Sequence, residues 1–313
     1  MYNLTDSAKP FHCSSLEKES TAEVLVNNSY YVYHVEPDSY QPGNIIYSDQ
    51  YSLKTTDGIT AAIIAGHPTQ SGYKDADREN SRFDRITGFI GITAKILIAV
   101  DHYNHCLRRI HRDTGLTTTF SGVCTSPEYE DGTQSWFFYP ISIIRDNQNR
   151  SQLLVTDEYN NALRTVAVSD GSAGTLTKSS TNPYPHCLTQ NTAGDIFVTT
   201  WSAAVYRISY TEKTISLIAG SLTTTGYRDG SLLNSLFNNL KELVFIQTNK
   251  LLIADKDNKK LRLLHLDEDK VTTLNLCNGC VSLHLPYSIM LTNDALYVGD
   301  SREILRFRCK FFI

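Results

Sequence analysis

The sequence predicts an all-β fold: a single closed ring of six four-stranded antiparallel blades, with the ring closed by an N-terminal strand in the last blade. Three observations predict it. A strand–turn–strand unit recurs six times along the chain. Two longer stretches, IIAGHPTQSGYKDADRENSRFD from Ile63 and LIAGSLTTTGYRDGSLLNSLFN from Leu217, align without a gap 154 residues apart. No amphipathic helical period competes with the strands. Repeats of about 40–50 residues with four strands each are the sequence signature of a β-propeller.

The repeating unit is an apolar strand ending in Asp, a short turn, and a second strand carrying a basic residue. In chain order the copies are IIYSD at 45–49 with YSLKTT at 51–56, ILIAVD at 96–101 with CLRRI at 106–110, and LLVTD at 153–157 with ALRTV at 162–166. A degenerate copy, IFVTT at 196–200 with VYRIS at 205–209, precedes LLIAD at 251–255 with LRLL at 261–264 and LYVGD at 296–300 with ILRF at 304–307. The strands are rich in Val, Ile, Leu, Tyr and Thr, which suits half-buried β-structure. Turn signals such as Asp113-Thr114-Gly115 and Ser169-Asp170-Gly171 separate them. The first inner strand is expected at Tyr30–Val35. The last blade reaches only its third strand, so Glu23–Val26 is expected to supply its outer strand and leave no open edge. The expected organisation is an N-terminal extension at 1–22, one propeller at 23–309 and a C-terminal tail at 310–313.

The segments DHYNHCLRRI and GLTTTFSG, together with Ala65-Gly66…Tyr73-Lys74-Asp75…Phe83 and its copies at Ala219–Phe237 and Ser121–Phe138, resemble NHL repeats. The resemblance spans roughly residues 24 to 309. It implies a six-bladed propeller that serves as a binding platform, with enzymes a minority among relatives.

The chain has 313 residues, is 41% hydrophobic and carries a net charge of -4. That balance gives ample core material and argues against nucleic acid as the main partner. No apolar run approaches the roughly 20 residues of a transmembrane helix. The seven cysteines leave at least one thiol unpaired or bonded between chains. Antiparallel register brings Cys106, at the start of a third strand, against Cys124, just past the fourth, and it suggests Cys13 with Cys309 at the ring closure. Cys277 and Cys280 form a C-x-x-C whose expected role is a structural disulfide, within the motif or to Cys187. Two pairs in register favour an extracellular or secretory-pathway location, with the cytoplasm as the alternative. The sequons at Asn3, Asn27 and Asn149 are glycosylation candidates that a chain this rich in Asn, Ser and Thr would show by chance.

Strand direction puts the second-to-third-strand turns and the blade-to-blade connections on one face. The long connections, at about 67–83, 122–139, 170–185, 221–238 and 276–286, lie there. This face also collects Trp136, Tyr139, Tyr184, His186, Trp201, Tyr287, His102 and His105, which are the candidates for a ligand face. Tyr73, Tyr129 and Tyr227 recur within Gly/Glu-Tyr-x-Asp segments, so packing of loops onto blades is an equally good reading for them. The Asp–Arg spacing of Asp101/Arg108, Asp157/Arg164 and Asp255/Arg262 reads as turn chemistry with charge pairing across a hairpin.

The leading functional expectation is a binding module for a protein, glycan or small ligand, with no catalytic set, no cofactor and no metal. The alternative is a channel-centred lyase or hydrolase using zinc or calcium. Among NHL-like proteins, peptidyl-hydroxyglycine amidating lyases carry three zinc-binding histidines where inner strands reach the channel. The corresponding segments here are Tyr139-Pro140-Ile141, Tyr184-Pro185-His186 and Leu285-Pro286-Tyr287, with a single histidine, short of the three ligands a catalytic zinc usually needs. A third reading, RNA binding as in tripartite-motif NHL domains, would need a basic face.

Overall fold

A computed structural model describes residues 22–180, 184–276 and 282–308. Its strands form six four-stranded antiparallel sheets. Blade one comprises β2 (His34–Pro37), β3 (Ile45–Ser48), β4 (Leu53–Thr56) and β5 (Ala61–Ala65). Blade two is β6 (Ile86–Thr93), β7 (Ile96–Asp101), β8 (Cys106–His111) and β9 (Thr117–Ser121). Blade three is β10 (Pro140–Arg145), β11 (Gln152–Asp157), β12 (Ala162–Ala167) and β13 (Ala173–Lys178). Blade four is β14 (Pro185–Gln190), β15 (Ile196–Thr200), β16 (Ala204–Ile208) and β17 (Ile215–Gly220). Blade five is β18 (Leu240–Gln247), β19 (Lys250–Asp255), β20 (Lys260–His265) and β21 (Lys270–Thr273). Blade six is β22 (Pro286–Leu291), β23 (Ala295–Asp300) and β24 (Glu303–Arg308), completed on its outer edge by β1 (Ala22–Asn27). This is the six-bladed propeller expected from the repeat.

β1 runs antiparallel to β24 with Ala22 opposite Phe307 and Asn27 opposite Glu303. The ring is therefore closed by the N-terminal strand, and the last blade has no bare edge. Cys13, Cys309, Cys277, Cys280 and Asn3 lie outside the described residues. Asn27 and Asn149 are exposed. Cys106 and Cys124 are bonded, with their Cα atoms 5.1 Å apart, so the register argument holds for this pair.

Burial falls from the second strand outward. β3, β15 and β23 are buried along their whole length, whereas β17 is exposed over its first three residues. Apolar clusters fill the wedges between blades. Phe83, Phe137 and Phe237, all fully buried, come from the blade-to-blade connections and plug three of these wedges. Gly66 precedes one such connection at φ +93, and a Cβ there would sit 2.2 Å from the carbonyl oxygen of Tyr51. The repeated glycine is thus demanded by close backbone approach.

The repeated Asp and Arg form a charge cluster in blades two, three and five. Arg108 Nη1 donates to Asp101 at 2.7 Å and its Nη2 to Asp75 at 2.6 Å. Arg164 makes the same pair of contacts with Asp157 and Asp131, and Arg262 with Asp255 and Asp229. The second carboxylate comes from the Tyr-x-Asp segment of the long connection. The tyrosine of that segment lies against the same guanidinium, as Tyr73 does with Arg108 at 4.9 Å, and bonds to a threonine on the outer strand. Tyr129 and Tyr227 repeat this, so all three pack connections onto blades. In blade four Thr200 replaces the Asp, and Arg207 turns outward to Asp195.

Two sequence expectations differ in detail. The first inner strand begins at His34; Tyr31 and Tyr33 precede it with their rings against Tyr287, and the Tyr33 N–H still donates to the Ser48 carbonyl. The span 170–185 is not one connection: β13 occupies Ala173–Lys178 within it. The small, polar composition of AGTLTK conceals a strand whose exposed edge needs little apolar content.

Candidate functional site

In blades two and three the inner strand reaches the channel through one sequence of contacts, parts of which recur in blades four and five. The Asp ending the second strand accepts an N–H from the connection that leads into the inner strand. Asp101 accepts from Asp84, Asp157 from Phe138, and Asp255 from Asn238. The next residue of that connection takes a left-handed conformation in Arg85, Tyr139 and Asn239, as does Tyr184 in blade four. The residue following the second strand then donates its N–H to that left-handed residue's carbonyl: His102 to Arg85, Glu158 to Tyr139, Trp201 to Tyr184. These contacts hold two rings of side chains at the channel mouth. One ring is the turn residue after the second strand. The other is the second residue after the left-handed position.

The inner ring has one member from each blade: Tyr33, Thr87, Ile141, His186, Lys241 and Tyr287. All six line a cavity of about 200 Å³. The turn ring adds His102, Glu158, Trp201 and Lys256, and Arg85 and Asn239 complete the polar wall. Pockets for drug-sized ligands hold about 300–1,000 Å³, so this cavity suits a smaller molecule.

The electrostatics are uneven. Arg85 stacks its guanidinium on Tyr103 at 4.2 Å and Tyr33 at 5.5 Å, and no ion pair to a carboxylate satisfies it among the described residues. Its Nε is buried without a hydrogen-bond partner, as is Oδ1 of Asn239. Burial pushes the Glu158 carboxyl up to about 7, against the pull of Lys241 and Arg85. His102 Nδ1 donates to the carbonyl of Pro140 at 3.0 Å, and burial holds its pKa down at about 3. His186 is also held neutral, by burial and then by the charge of Lys241. Lys241 Nζ donates to His186 Nε2 at 2.9 Å. At neutral pH three cationic groups therefore surround one carboxyl that is only partly ionised.

Below the cavity the next inner-strand position carries a different layer. His34 Nδ1 lies 3.1 Å from Glu242, whose other oxygen accepts the N–H of Ile289 in the adjacent blade. Burial disfavours charge on His34, but Glu242 and then Glu36 override it and raise its pKa to about 10. Cys187, which also lines the cavity, is in no disulfide among the described residues, and burial pushes its thiol up. The thiol is thus not an activated nucleophile.

The rim is aromatic. Tyr103, Tyr139, Tyr159 and Tyr184 follow one another with centroid separations of 5.6, 4.9 and 5.4 Å. Tyr33 and Tyr287 meet at 5.2 Å on the other side. Arg85 bridges Tyr33 to Tyr103, and Lys241 lies 5.4 Å from the rings of both Trp201 and Tyr287. Trp201 is 60% exposed and Tyr159 50%.

Of the eight ligand-face candidates, His102, His186, Trp201 and Tyr287 line the cavity. Tyr139 and Tyr184 build its rim. His105 instead accepts the N–H of Tyr139 through Nδ1 at 3.2 Å, shaping the loop. Trp136 pairs with Glu130 in the connection of blade three and does not line the cavity. Tyr33, Arg85, Glu158, Lys241 and Lys256 were missed. The slot that revealed His102 and Trp201, directly after each second strand, also holds Glu158 and Lys256. Among the described residues no three His, Cys, Asp or Glu side chains gather as a metal-ligand set, and no helix is long and apolar enough to cross a membrane.

No family model and no curated protein matches the sequence. Solved structures do match the fold. An auxiliary nutrient binding protein from Bacteroides thetaiotaomicron superimposes with a TM-score of 0.71 at 10% identity, covering 93% of this chain and 76% of that one. The auxiliary nutrient binding protein of Bacteroides ovatus gives 0.67 at 11% identity, over 93% and 73%. Virginiamycin B lyase from Staphylococcus aureus gives 0.59 at 12% identity, over 93% and 99%. At these identities the likeness establishes the class, a six-bladed β-propeller, and the class hosts both binding proteins and a lyase. Function has to come from the site itself.

Proposed function

We propose that this protein is a binding propeller that holds a small carboxylate-bearing molecule, of about monosaccharide size or less, in the channel-mouth cavity. One observation carries the reading: the Arg85 guanidinium on the cavity wall has no carboxylate or hydrogen-bond partner among the described residues. That guanidinium meets only the rings of Tyr33 and Tyr103, and Oδ1 of Asn239 on the same wall is buried without a hydrogen bond. Buried polar atoms are nearly always satisfied in folded proteins, and a ligand carboxylate would accept from an arginine in the forked geometry that pairing favours. Lys241 and Lys256 add positive charge, which a low-dielectric cleft concentrates. The exposed rings of Trp201 and Tyr159 offer flat faces against which a sugar acid would stack.

The Cys106–Cys124 disulfide supports residence outside the reducing cytosol. The Tyr-x-Asp and Asp–Arg units support an NHL-type lineage for the repeat, since they form one charge cluster in three blades. The test is a titration of Trp201 fluorescence with small carboxylates, lactate and gluconate among them, and with glucose as a neutral control. The acids quench and the quench is lost in Trp201→Phe. Equal response to acids and glucose, or none to either, would remove the proposal.

A further inference from the structure

Lys241 is 4% exposed and forms no ion pair among the described residues, although it lines the cavity. Two other lysines with largely buried side chains pair with a carboxylate, Lys54 with Asp49 and Lys256 with Asp257. The polar partner of Lys241 is Nε2 of His186 at 2.9 Å, and because an ammonium only donates, the imidazole must accept. The rings of Trp201 and Tyr287 flank it, each 5.4 Å away.

We propose that Lys241 captures its ligand covalently, its amine condensing with the carbonyl carbon of a small oxo acid to form a Schiff base. The inference rests on the small-carboxylate reading, because Arg85 must hold the acid group while the carbonyl faces Lys241. The chemistry balances without any oxidant or reductant. The amine lone pair forms the C–N bond as the carbonyl π pair moves to oxygen, and one N–H proton passes by way of His186 Nε2 to that oxygen to give a carbinolamine. A second proton, from an acid on the wall, lets the hydroxyl leave as water while the nitrogen lone pair forms the C=N bond, leaving the protonated imine with one N–H.

Burial pulls the Lys241 ammonium down to about 8, with Lys256 acting the same way and Cys187, Glu158 and Asp257 opposing. A desolvated amine near neutrality is the condition under which lysines act as nucleophiles. The protonated Glu158 carboxyl on the same wall is a proton source for the departing hydroxyl. The His186–Lys241 contact thus has a role that ligand binding alone does not require.

The purified protein, incubated with pyruvate and sodium cyanoborohydride at neutral pH and mapped by mass spectrometry, should carry a reduced adduct on Lys241. Labelling there should exceed that of exposed Lys95 by on the order of a hundredfold, the gain in free-amine fraction that a pKa of about 8 gives over an ordinary lysine side chain near neutral pH. The adduct disappears in Lys241→Arg, forms more slowly in His186→Gln, which keeps the amine, and persists in Lys95→Gln. Lactate, which has the carboxylate but no carbonyl, should quench Trp201 and protect Lys241 without forming an adduct. Quenching by both acids with no adduct, or equal labelling of Lys241 and Lys95, overturns covalent capture and leaves the binding proposal standing. Failure of either acid to quench or to label overturns both.

Discussion

The arginines of blade two divide into two kinds. Arg108, fully buried, reaches two carboxylates and the carbonyls of Arg82 and Lys74. Arg85, at the channel mouth, reaches only aromatic faces; Nε is unpartnered in both arginines, so the difference lies in the Arg85 terminal nitrogens, which meet no carboxylate or carbonyl among the described residues. Both are positioned by the same structural device, since Asp101 pairs with Arg108 and also accepts the N–H of Asp84 in the connection that carries Arg85. The contrast separates charges that hold the repeat together from charges left open. A satisfied buried pair is a structural commitment whose removal strands its partner. An open guanidinium over a cavity strands nothing when removed, and its free donors are what a ligand would use.

The largest effect should come from breaking a satisfied cluster. Arg164→Ala leaves Asp157 buried beside Asp131 and should cost about 3–5 kcal/mol, read as a shift in urea midpoint. His34 should show the next effect as a pH dependence. Its folded pKa, about 10, lies above its unfolded value, so its stabilisation is complete below about pH 6.5 and is lost as pH rises through 10. Lys241, whose pKa is lowered, works in the opposite sense over part of the same window. The readout is therefore the difference between wild type and His34→Gln between pH 7 and 9.5, which should shrink as pH rises. A difference that is flat or grows would mean that His34 is neutral in the fold.

Removing the disulfide should cost less than losing an arginine cluster. Cys106 and Cys124 close a loop with a sequence separation of 18 residues, for which chain entropy gives about 3 kcal/mol. The paired serine variant should unfold at a lower temperature with the wild-type far-UV spectrum, and an unchanged Tm would mean the link adds nothing. The smallest effect on stability belongs to Arg85→Gln, within about 0.5 kcal/mol of wild type, the usual range for changes that strand no partner. The same variant should lose roughly tenfold to a hundredfold in carboxylate affinity, the equivalent of about 1.5–3 kcal/mol for a charged hydrogen bond.

Much of this fold was legible because propeller geometry repeats whatever the sequence repeats. Asp101, Asp157 and Asp255 marked the second strands, and the apolar segment at Glu23–Val26 marked the closure. β13 was hidden because an outer strand with one solvated face tolerates residues as small as Ala173 and Gly174. The site was legible only in part. Pro140, Pro185 and Pro286 flagged the inner-ring positions of Ile141, His186 and Tyr287. Blades one, two and five have Val32, Ile86 and Leu240 in that slot, so Tyr33, Thr87 and Lys241 carried no such flag. Which charges remain unpaired is a property of three-dimensional proximity, and the spacing of Arg85 in sequence does not differ in kind from that of Arg108.

The most direct test of the account compares Arg85→Gln with Arg164→Gln, measuring urea stability and lactate affinity by Trp201 fluorescence in each. A crossed result is expected. Arg85→Gln keeps wild-type stability and loses lactate binding, while Arg164→Gln loses stability and, where still folded, binds lactate as the wild type does. Wild-type lactate affinity in Arg85→Gln would contradict it.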